Sequence, residues 1–351
     1  MKKRLSLLMC LCIILVLAVT PILTSCSTAP GDSEPGGEEP PEGSESADAE
    51  WPETLRMGGA SVGGMLYVIV GGYANMVQNF VGINTTVEET GGPVDNIQLI
   101  QNKQNEMGAA SSGTLYEAWN GEAWADGTEY RDIRAIVPTH PSYSYITFLA
   151  KNPINSWDEV PEKTIGYGPQ TGTPATQFPK HFEISGISPK KAVYASFGDV
   201  QSQLKDGLID GIIYIASYPY APQVEMEATM EAGMLAPPPE VIDELVEQHP
   251  YFAKGVLPKD SYPSVKEDMD TSVMWTYIIG HKNLPEDLVY EMTKSSYEEV
   301  EYLKTALATW DQYMKPEVML TSPIPLHPGA IKYYREIGLD IPDKLIPPEM
   351  K

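Results

Sequence analysis

The stretch GASVGG, residues 59–64, lies between two segments of different periodicity. Before it, the run TLRMGGA is typical of a short β-strand. After it, MLYVIVGGYANMVQNFV places apolar residues such as Leu66, Ile69 and Val77 at a helical spacing. The stretch is therefore predicted to be a glycine-rich turn that joins a strand to the start of a helix.

Two further loops, ETGGP (Glu89–Pro93) and GPQTGTP (Gly168–Pro174), also lie between a predicted strand and a predicted helix. Glycine lets the backbone approach a ligand closely, hydroxyl groups supply donors, and a helix start presents free N–H groups. A single loop of this kind usually forms only a turn and a helix cap. In GPQTGTP, Thr173 would then cap a helix that starts at Pro174 and is kinked at Pro179. Three similar loops in one chain favour a ligand-binding site.

Predicted strands and helices alternate along the chain from Trp51 onward. The strand-like runs are TLRMGGA, NTTVEET, EMGAASS, RDIRAIVP, SYITFLA, KTIGYG, AVYASF and GIIYIAS. The helix PVDNIQLIQNK begins at Pro93, and a long helix is predicted over residues 285–314. This alternation favours the α/β class with a largely parallel sheet.

GASVG also matches G-x-S-x-G, the nucleophile elbow of serine hydrolases. However, only one predicted strand precedes Ser61, whereas the elbow of an α/β-hydrolase follows several strands. None of the five histidines stands in a recognisable catalytic setting, and His327 in the turn PLHPGA is expected to be structural. The chain is therefore predicted not to be an enzyme, and a serine hydrolase using Ser61 remains an alternative.

The composition excludes several partners. The 351 residues carry a formal net charge of −24, so like-charge repulsion opposes a nucleic-acid partner. No Walker loop or G-x-G-x-x-G motif is present, which disfavours a nucleotide. The histidine and cysteine spacings match no metal site, so neither a cofactor nor a metal is expected.

The first fifty residues are predicted to lie outside the fold. A basic start and the apolar run LSLLMCLCIILVLAV indicate a signal peptide over residues 1–25, with a retained membrane anchor as the alternative. The tetrapeptide Leu-Thr-Ser-Cys ending at Cys26 resembles a bacterial lipobox, so Cys26 is predicted to be lipidated. Residues 26–50 are rich in Pro, Gly, Ser and Glu and are predicted to form a disordered acidic linker.

Five motifs, found in order over residues 51–339, resemble the TAXI family, the solute-binding proteins of tripartite ATP-independent periplasmic (TRAP) transporters. In this chain they are Gly63-Gly64 with Tyr67, Thr90-Gly91-Gly92 with Val94-Asp95-Asn96, Gly172-Thr173, LKDGLIDGIIYIAS (Leu204–Ser217) and PIPLHPGAIKYYREIGL (Pro323–Leu339). The chain departs from the family at Ser111-Ser112-Gly113, where a Gln-Ser-Asp stretch is frequent.

The resemblance implies a two-lobed, type II periplasmic-binding-protein-like α/β fold with a ligand cleft between the lobes. Lobe I is expected to comprise residues 51–139 plus 256–351, and lobe II residues 140–255. The chain is expected to cross between lobes near Val137–Tyr143 and again between about Tyr251 and Ser272. A monomeric receptor, lipid-anchored through Cys26 outside the cytoplasm, would close on a small solute by a hinge motion.

The solute implied by the resemblance is a small organic anion or an amino acid such as glutamate, handed to the membrane subunits of a TRAP permease. The alternative receptor function is that of a surface lipoprotein that presents its solute to a sensor and not to a permease. TAXI receptors generally lack a carboxylate-clamping arginine, and the three loops here contain none. Backbone N–H groups and hydroxyls are expected to bind the solute, and the predicted ligand-binding residues are Ser61, Val62, Gly63, Gly64, Tyr67, Thr90, Gly91, Gly92, Asn96, Ser111, Ser112, Thr171, Gly172, Thr173 and Ser217.

Overall fold

Ten strands form a mixed sheet in a computed structural model that describes residues 50–351. The predicted signal peptide, Cys26 and nearly all of the predicted linker lie outside the described residues. The strands are β1 (Thr54–Ala60), β2 (Asn84–Glu89), β3 (Met107–Ser111), β4 (Ile133–Leu149), β5 (Thr164–Gly168), β6 (Lys191–Tyr194), β7 (Gly211–Ala216), β8 (Ala232–Leu235), β9 (Ala253–Leu257) and β10 (Met269–His281).

The α-helices pack around this sheet, and a short 3₁₀ turn, Pro316–Thr321, lies between the last two of them. They are α1 (Met65–Met76), which continues as a π-helical turn over Val77–Val81, α2 (Pro93–Gln101), α3 (Ser112–Asn120), α4 (Thr173–Gln177), α5 (Pro179–Ser185), α6 (Phe197–Lys205), α7 (Ala221–Thr229), α8 (Pro239–Gln248), α9 (Glu286–Glu298), α10 (Val300–Leu303), α11 (Trp310–Tyr313) and α12 (Pro328–Glu336).

The strand order is β2-β1-β3-β10-β4-β7-β5-β6, with β9 paired to β10 and β8 paired to β4. Pairing is parallel in two blocks, β2-β1-β3 and β7-β5-β6, because each block is built from strand–helix–strand units. The prediction of a largely parallel sheet is wrong for the centre of the sheet, where β10 runs antiparallel to both β3 and β4.

The two strand-like runs RDIRAIVP and SYITFLA are one strand, β4, of 17 residues. The interruption in the sequence comes from Pro138 and Pro141, which cannot donate to the ladder. The structure accommodates this segment with register shifts opposite Thr276–Tyr277 and Ile278–Ile279.

The strands β4 and β10 connect two lobes. The first half of β4 pairs with β10, whereas Tyr143–Phe148 pairs with β7. Likewise, Thr276–Gly280 of β10 pairs with β3, and the earlier half of β10 pairs with β9. One hydrophobic core forms around β1, β3 and α1, and two others cover the faces of β7. The fold is therefore the expected two-lobed α/β fold.

The position of the second lobe boundary follows from side-chain packing. Leu257, Tyr262 and Val265 are buried in the same hydrophobic cluster as Tyr145 of lobe II. We therefore propose that the chain returns to lobe I within β10, near Val273–Thr276, and not at residue 256. Residues 257–268 can still pack in lobe II, because the strand that leads back to lobe I, β10, begins only at Met269.

The predicted helix over residues 285–314 is wrong in its length, because the structure has three helices there, α9, α10 and α11. Within α9, the hydroxyls of Thr293 and Ser296 bond back to carbonyls one turn earlier, which weakens a helix. The bends place Trp310 in the core of lobe I, where it is fully buried. Pro179 also separates two short helices, α4 and α5, as expected.

Over residues 50–351, no helix is long and apolar enough to cross a bilayer.

Two adjacent glycines of α1 provide a matched test of lobe I packing. A methyl group at Gly72 would overlap the Cβ atom of Ala306, whereas one at Gly71 would meet no atom within 4 Å. We expect Gly72→Ala to destabilise the protein by about 1–3 kcal/mol through overpacking. Gly71→Ala should stabilise it by about 0.5–1 kcal/mol, because alanine suits a helix better than glycine.

Urea unfolding of the two variants beside the wild type measures this difference. Equal effects of the two substitutions would contradict the packing of α1 against the segment before α11.

Candidate functional site

The three glycine-rich loops converge on one cavity between the lobes. The cavity is small, about 40 Å³. Its lining includes residues from all three loops and from β7, α6 and the start of α7: Ala60, Ser61, Gly64, Met65, Leu66, Gly91, Gly92, Pro93, Pro169, Gly172, Thr173, Pro174, Phe197, Tyr214, Ile215, Ala216 and Tyr220. This space holds only a few water molecules, because the loops of the two lobes contact each other around it.

The GASVGG loop contacts lobe II through its backbone and through Ser61. The Ser61 side chain is buried, and its Oγ atom accepts a long hydrogen bond of 3.4 Å from the backbone N–H of Phe197. Tyr220 donates its hydroxyl to the carbonyl of Gly63 at 2.8 Å. Gly64 is the N-cap of α1 and lines the cavity, and no side chain caps this helix. The first N–H groups of α1 therefore face the cleft without a capping group.

The ETGGP loop is held by the side chain of Thr90 and by two side chains of the first turn of α2. Thr90 donates its hydroxyl to the amide oxygen of Asn96 at 2.8 Å, and Asp95 accepts from the N–H of Gly91 at 2.8 Å. Asn96 is fully buried and donates to the carbonyl of Ala109. Thr90 and Asn96 thus position the loop, while the glycines Gly91 and Gly92 line the cavity.

The GPQTGTP loop of lobe II meets the ETGGP loop directly. The N–H of Val94 donates to the carbonyl of Thr171 at 3.3 Å. A Cβ atom at residue 92 would lie 2.9 Å from the Gly172 Cα atom, and Gly92 has a φ of +132° that disfavours other residues. Gly172, and not Thr173, is the N-cap of α4, and Thr173 is the first helical residue. Both line the cavity.

Nine predicted ligand-binding residues do not line this cavity. Val62 is 53% exposed, and Tyr67 packs against Gly59. The hydroxyl of Ser111 pairs with that of Thr114, and Ser112 donates to the carbonyl of Tyr251 in lobe II. The complete set is Val62, Gly63, Tyr67, Thr90, Asn96, Ser111, Ser112, Thr171 and Ser217. Most of them support the loops or join the lobes.

Three aromatic rings of lobe II line the cavity and were missed in the sequence. Phe197 and Tyr214 are stacked with ring centroids 6.1 Å apart, and Tyr220 meets Tyr214 edge-on at 5.0 Å. The hydroxyl of Tyr214 has no hydrogen-bond partner among the described residues. A usable signal was the segment SYPYAP directly after β7, because ligands bind beyond the carboxyl ends of strands.

A second set of contacts joins the lobes away from the cavity. The carboxylate of Glu117 in α3 is 2% exposed, and it pairs with Lys180 at 2.7 Å and accepts from Gln177 at 2.9 Å. Both partners lie in lobe II. Burial raises the pKa of Glu117, and the Lys180 charge opposes that increase. If the lobes separated, the Glu117 and Lys180 charges would lose each other and would be solvated by water instead.

A larger groove of about 770 Å³ lies on lobe II between α5 and α8. Its lining comes from one lobe and carries the carboxylates of Asp158, Glu183, Glu240 and Glu244. It does not include the glycine-rich loops, and its lining also contains Lys180, the partner of Glu117. The small cavity is therefore the better candidate for a solute site.

The arrangement around Ser61 does not form a catalytic triad. Each of the five histidines has partners elsewhere, such as His181, whose Nε2 lies 2.7 Å from Ser272 Oγ. Burial lowers the pKa of His181 to about 3, so its ring is neutral. Within residues 50–351, no group of three or more His, Cys, Asp or Glu side chains could hold a metal ion.

Comparisons with known proteins agree with this architecture. Residues 57–338 match the NMT1-like family. MatC from Rhodopseudomonas palustris, solved with bound malate, is 10% identical, with a TM-score of 0.54 over 81% of this chain and 96% of MatC. The periplasmic binding protein BugD is 14% identical, with a TM-score of 0.52 over 83% and 100% of the two chains.

A further solved structure, described as a periplasmic transporter, is 15% identical, with a TM-score of 0.51 over 81% of this chain and 92% of that chain. At these identities the similarity concerns the fold. The family match covers most of the chain, and these solved structures share its two lobes. The chain therefore belongs to the NMT1-like family and has the two-lobed α/β fold of periplasmic binding proteins.

Proposed function

We propose that this protein is the extracytoplasmic solute receptor of a TRAP transporter and belongs to the TAXI type. The observation that carries the proposal is the meeting of glycine-rich loops from both lobes at one cavity. A small organic anion or amino acid binds in the cleft, and the lobes close over it. The closed receptor then delivers the solute to the membrane subunits of the permease.

The proposed binding groups are of two kinds. Backbone N–H groups at the start of α1 and the hydroxyls of Ser61 and Thr173 bind the polar end of the solute. Charge-assisted hydrogen bonds contribute about 1.5–3 kcal/mol each, so a few of them can supply micromolar affinity. Lipid on Cys26 holds the receptor at the membrane, where the permease acts. A single acyl chain binds only marginally, so anchoring requires more than one.

Mass spectrometry of solute released from the purified protein, followed by thermal shift with that compound, tests the proposal. Binding to the closed form alone should stabilise the protein by about 2.7 kcal/mol at a hundredfold excess over the dissociation constant. Hydrolysis of an ester by the wild type, lost in Ser61→Ala, would instead support the hydrolase alternative.

Closure is expected to depend on the glycine at residue 92. Gly92→Ala places a methyl group against Gly172 of the other lobe, so the dissociation constant for the recovered solute should rise about tenfold or more. Gly186→Ala is the matched control, because its φ of +66° is also unfavourable but a Cβ there meets no atom within 4 Å.

Titration calorimetry on both variants distinguishes an effect of backbone strain from an effect on the contact between the lobes. Gly186→Ala should lose stability and keep its affinity. Equal affinity losses in the two variants would contradict the role assigned to the Gly92–Gly172 contact.

The buried ion pair between the lobes gives a further prediction. Lys180→Met leaves the Glu117 carboxylate buried without its charge partner, which is costly. The closed form should become less populated, and solute affinity should fall about tenfold. Lys205→Met is the control, because its pair with Glu225 is exposed and lies within lobe II.

Calorimetry with the recovered solute measures both variants. A loss of affinity in Lys205→Met as large as that in Lys180→Met would show that the effect comes from net charge and not from closure.

A further inference from the structure

The groove on lobe II between α5 and α8 has the shape of a docking surface. Its volume of about 770 Å³ lies in the range of about 300–1,000 Å³ that encloses a drug-sized ligand, so it can also hold several side chains of a protein partner. Apolar side chains line it from both helices, with Ile184 on α5, Val241 on α8 and Trp157 beside them. The groove can therefore receive an apolar side chain.

Carboxylates surround these apolar side chains. The groove is lined by Asp158, Glu183, Glu240 and Glu244, and all four residues are exposed. Within residues 50–351, none of the four forms an ion pair. A partner with complementary charge would place Lys or Arg side chains opposite them, because surfaces of opposite potential attract and like charges repel.

The acidity of the groove does not by itself distinguish it, since a net charge of −24 makes exposed carboxylates frequent on this chain. What distinguishes the groove is Lys180 on α5, the one Lys or Arg side chain among the described residues that line it. Its ammonium group lies 2.7 Å from the Glu117 carboxylate of lobe I and donates to the carbonyl of Thr176 at 3.0 Å. The charge balance of the groove is therefore linked to the contact between the lobes.

Lobe closure makes the groove more negative. In the closed form, Glu117 neutralises Lys180, and the carboxylates of the groove have no cation to balance them. When the lobes separate, Glu117 moves away and Lys180 is free to pair with Glu183, which lies three residues further along α5. A cationic partner is therefore attracted more strongly to the closed receptor than to the open one.

On this basis, and resting on the proposed receptor function, we propose that this groove is the surface by which the closed receptor docks on its permease. It takes a segment of the membrane subunits in which an apolar side chain is flanked by Lys or Arg. The apolar side chain lies against Trp157 and Val241, and the cations face Glu183 and Glu244. Docking is tighter in the presence of solute, because solute binding maintains the contact between Glu117 and Lys180.

Binding of the full-length receptor to the TRAP membrane subunits of the same organism, held in phosphatidylcholine nanodiscs, tests this proposal by biolayer interferometry. With the recovered solute present, Glu183→Gln combined with Glu244→Gln should weaken binding several-fold. Glu183→Lys combined with Glu244→Lys should weaken it about tenfold or more, because like charges then meet. Raising the ionic strength from about 0.05 M to about 0.3 M should weaken the wild type more than the glutamine variant.

Glu231→Gln combined with Glu247→Gln is the matched control. Both residues are exposed on lobe II and neither lines the groove, so this variant loses the same net charge as the glutamine variant. Its affinity for the permease should equal that of the wild type. Solute affinity, measured by calorimetry, should be unchanged in all three double variants, which shows that each is folded and closes.

Full permease binding by the variant with Glu183→Lys and Glu244→Lys would overturn the docking surface and leave the receptor function standing. An equal loss of binding in the control variant would do the same, because the effect would then come from net charge. Equal binding of the wild type with and without solute would overturn the dependence on closure. A wild-type receptor that carries solute and does not bind the permease would contradict both the docking surface and the TRAP receptor function.

Discussion

At the centre of the molecule, the backbone of lobe I at Gly92 approaches that of lobe II at Gly172 so closely that no side chain fits between them. The hydrogen bond from Val94 to the Thr171 carbonyl can form only at this separation. The same approach brings Ser61 within reach of Phe197 and Gly63 within reach of Tyr220. The closed cleft therefore depends on glycine at residue 92, because a larger residue would hold the loops apart.

Charge is distributed so that the interface between the lobes carries an ion pair and the cavity lining carries none. Glu117 and Lys180 pair away from the cavity, where closure buries both. Such a pair adds little net stability, since desolvation offsets most of the attraction, but it penalises arrangements in which one partner is buried alone. The pair thus favours one closed geometry. Because the cavity lining is uncharged, the population of that geometry depends on solute binding.

The sequence predicted the loops better than the cavity wall. Glycines at 91, 92 and 172 carry a local signal, because a strand, a glycine-rich turn and a helix follow one another within a few residues. Phe197 and Tyr214 carry no such signal, since they come from different elements and meet only through tertiary packing, and Tyr220 is indicated only by its place directly after β7. The long strand β4 was divided in the prediction because Pro138 and Pro141 mimic a turn, and its antiparallel pairing with β10 depends on residues more than a hundred positions away.

If the lobes close over a solute, the distance between spin labels on the two lobes must shorten when the solute binds. Ile337→Cys in lobe I and Leu208→Cys in lobe II place labels at positions that are 44% and 68% exposed, with the native cysteines replaced by serine. We expect a shorter and narrower distance distribution when the recovered solute is added than when it is removed. The same distribution with and without a solute that binds would contradict it.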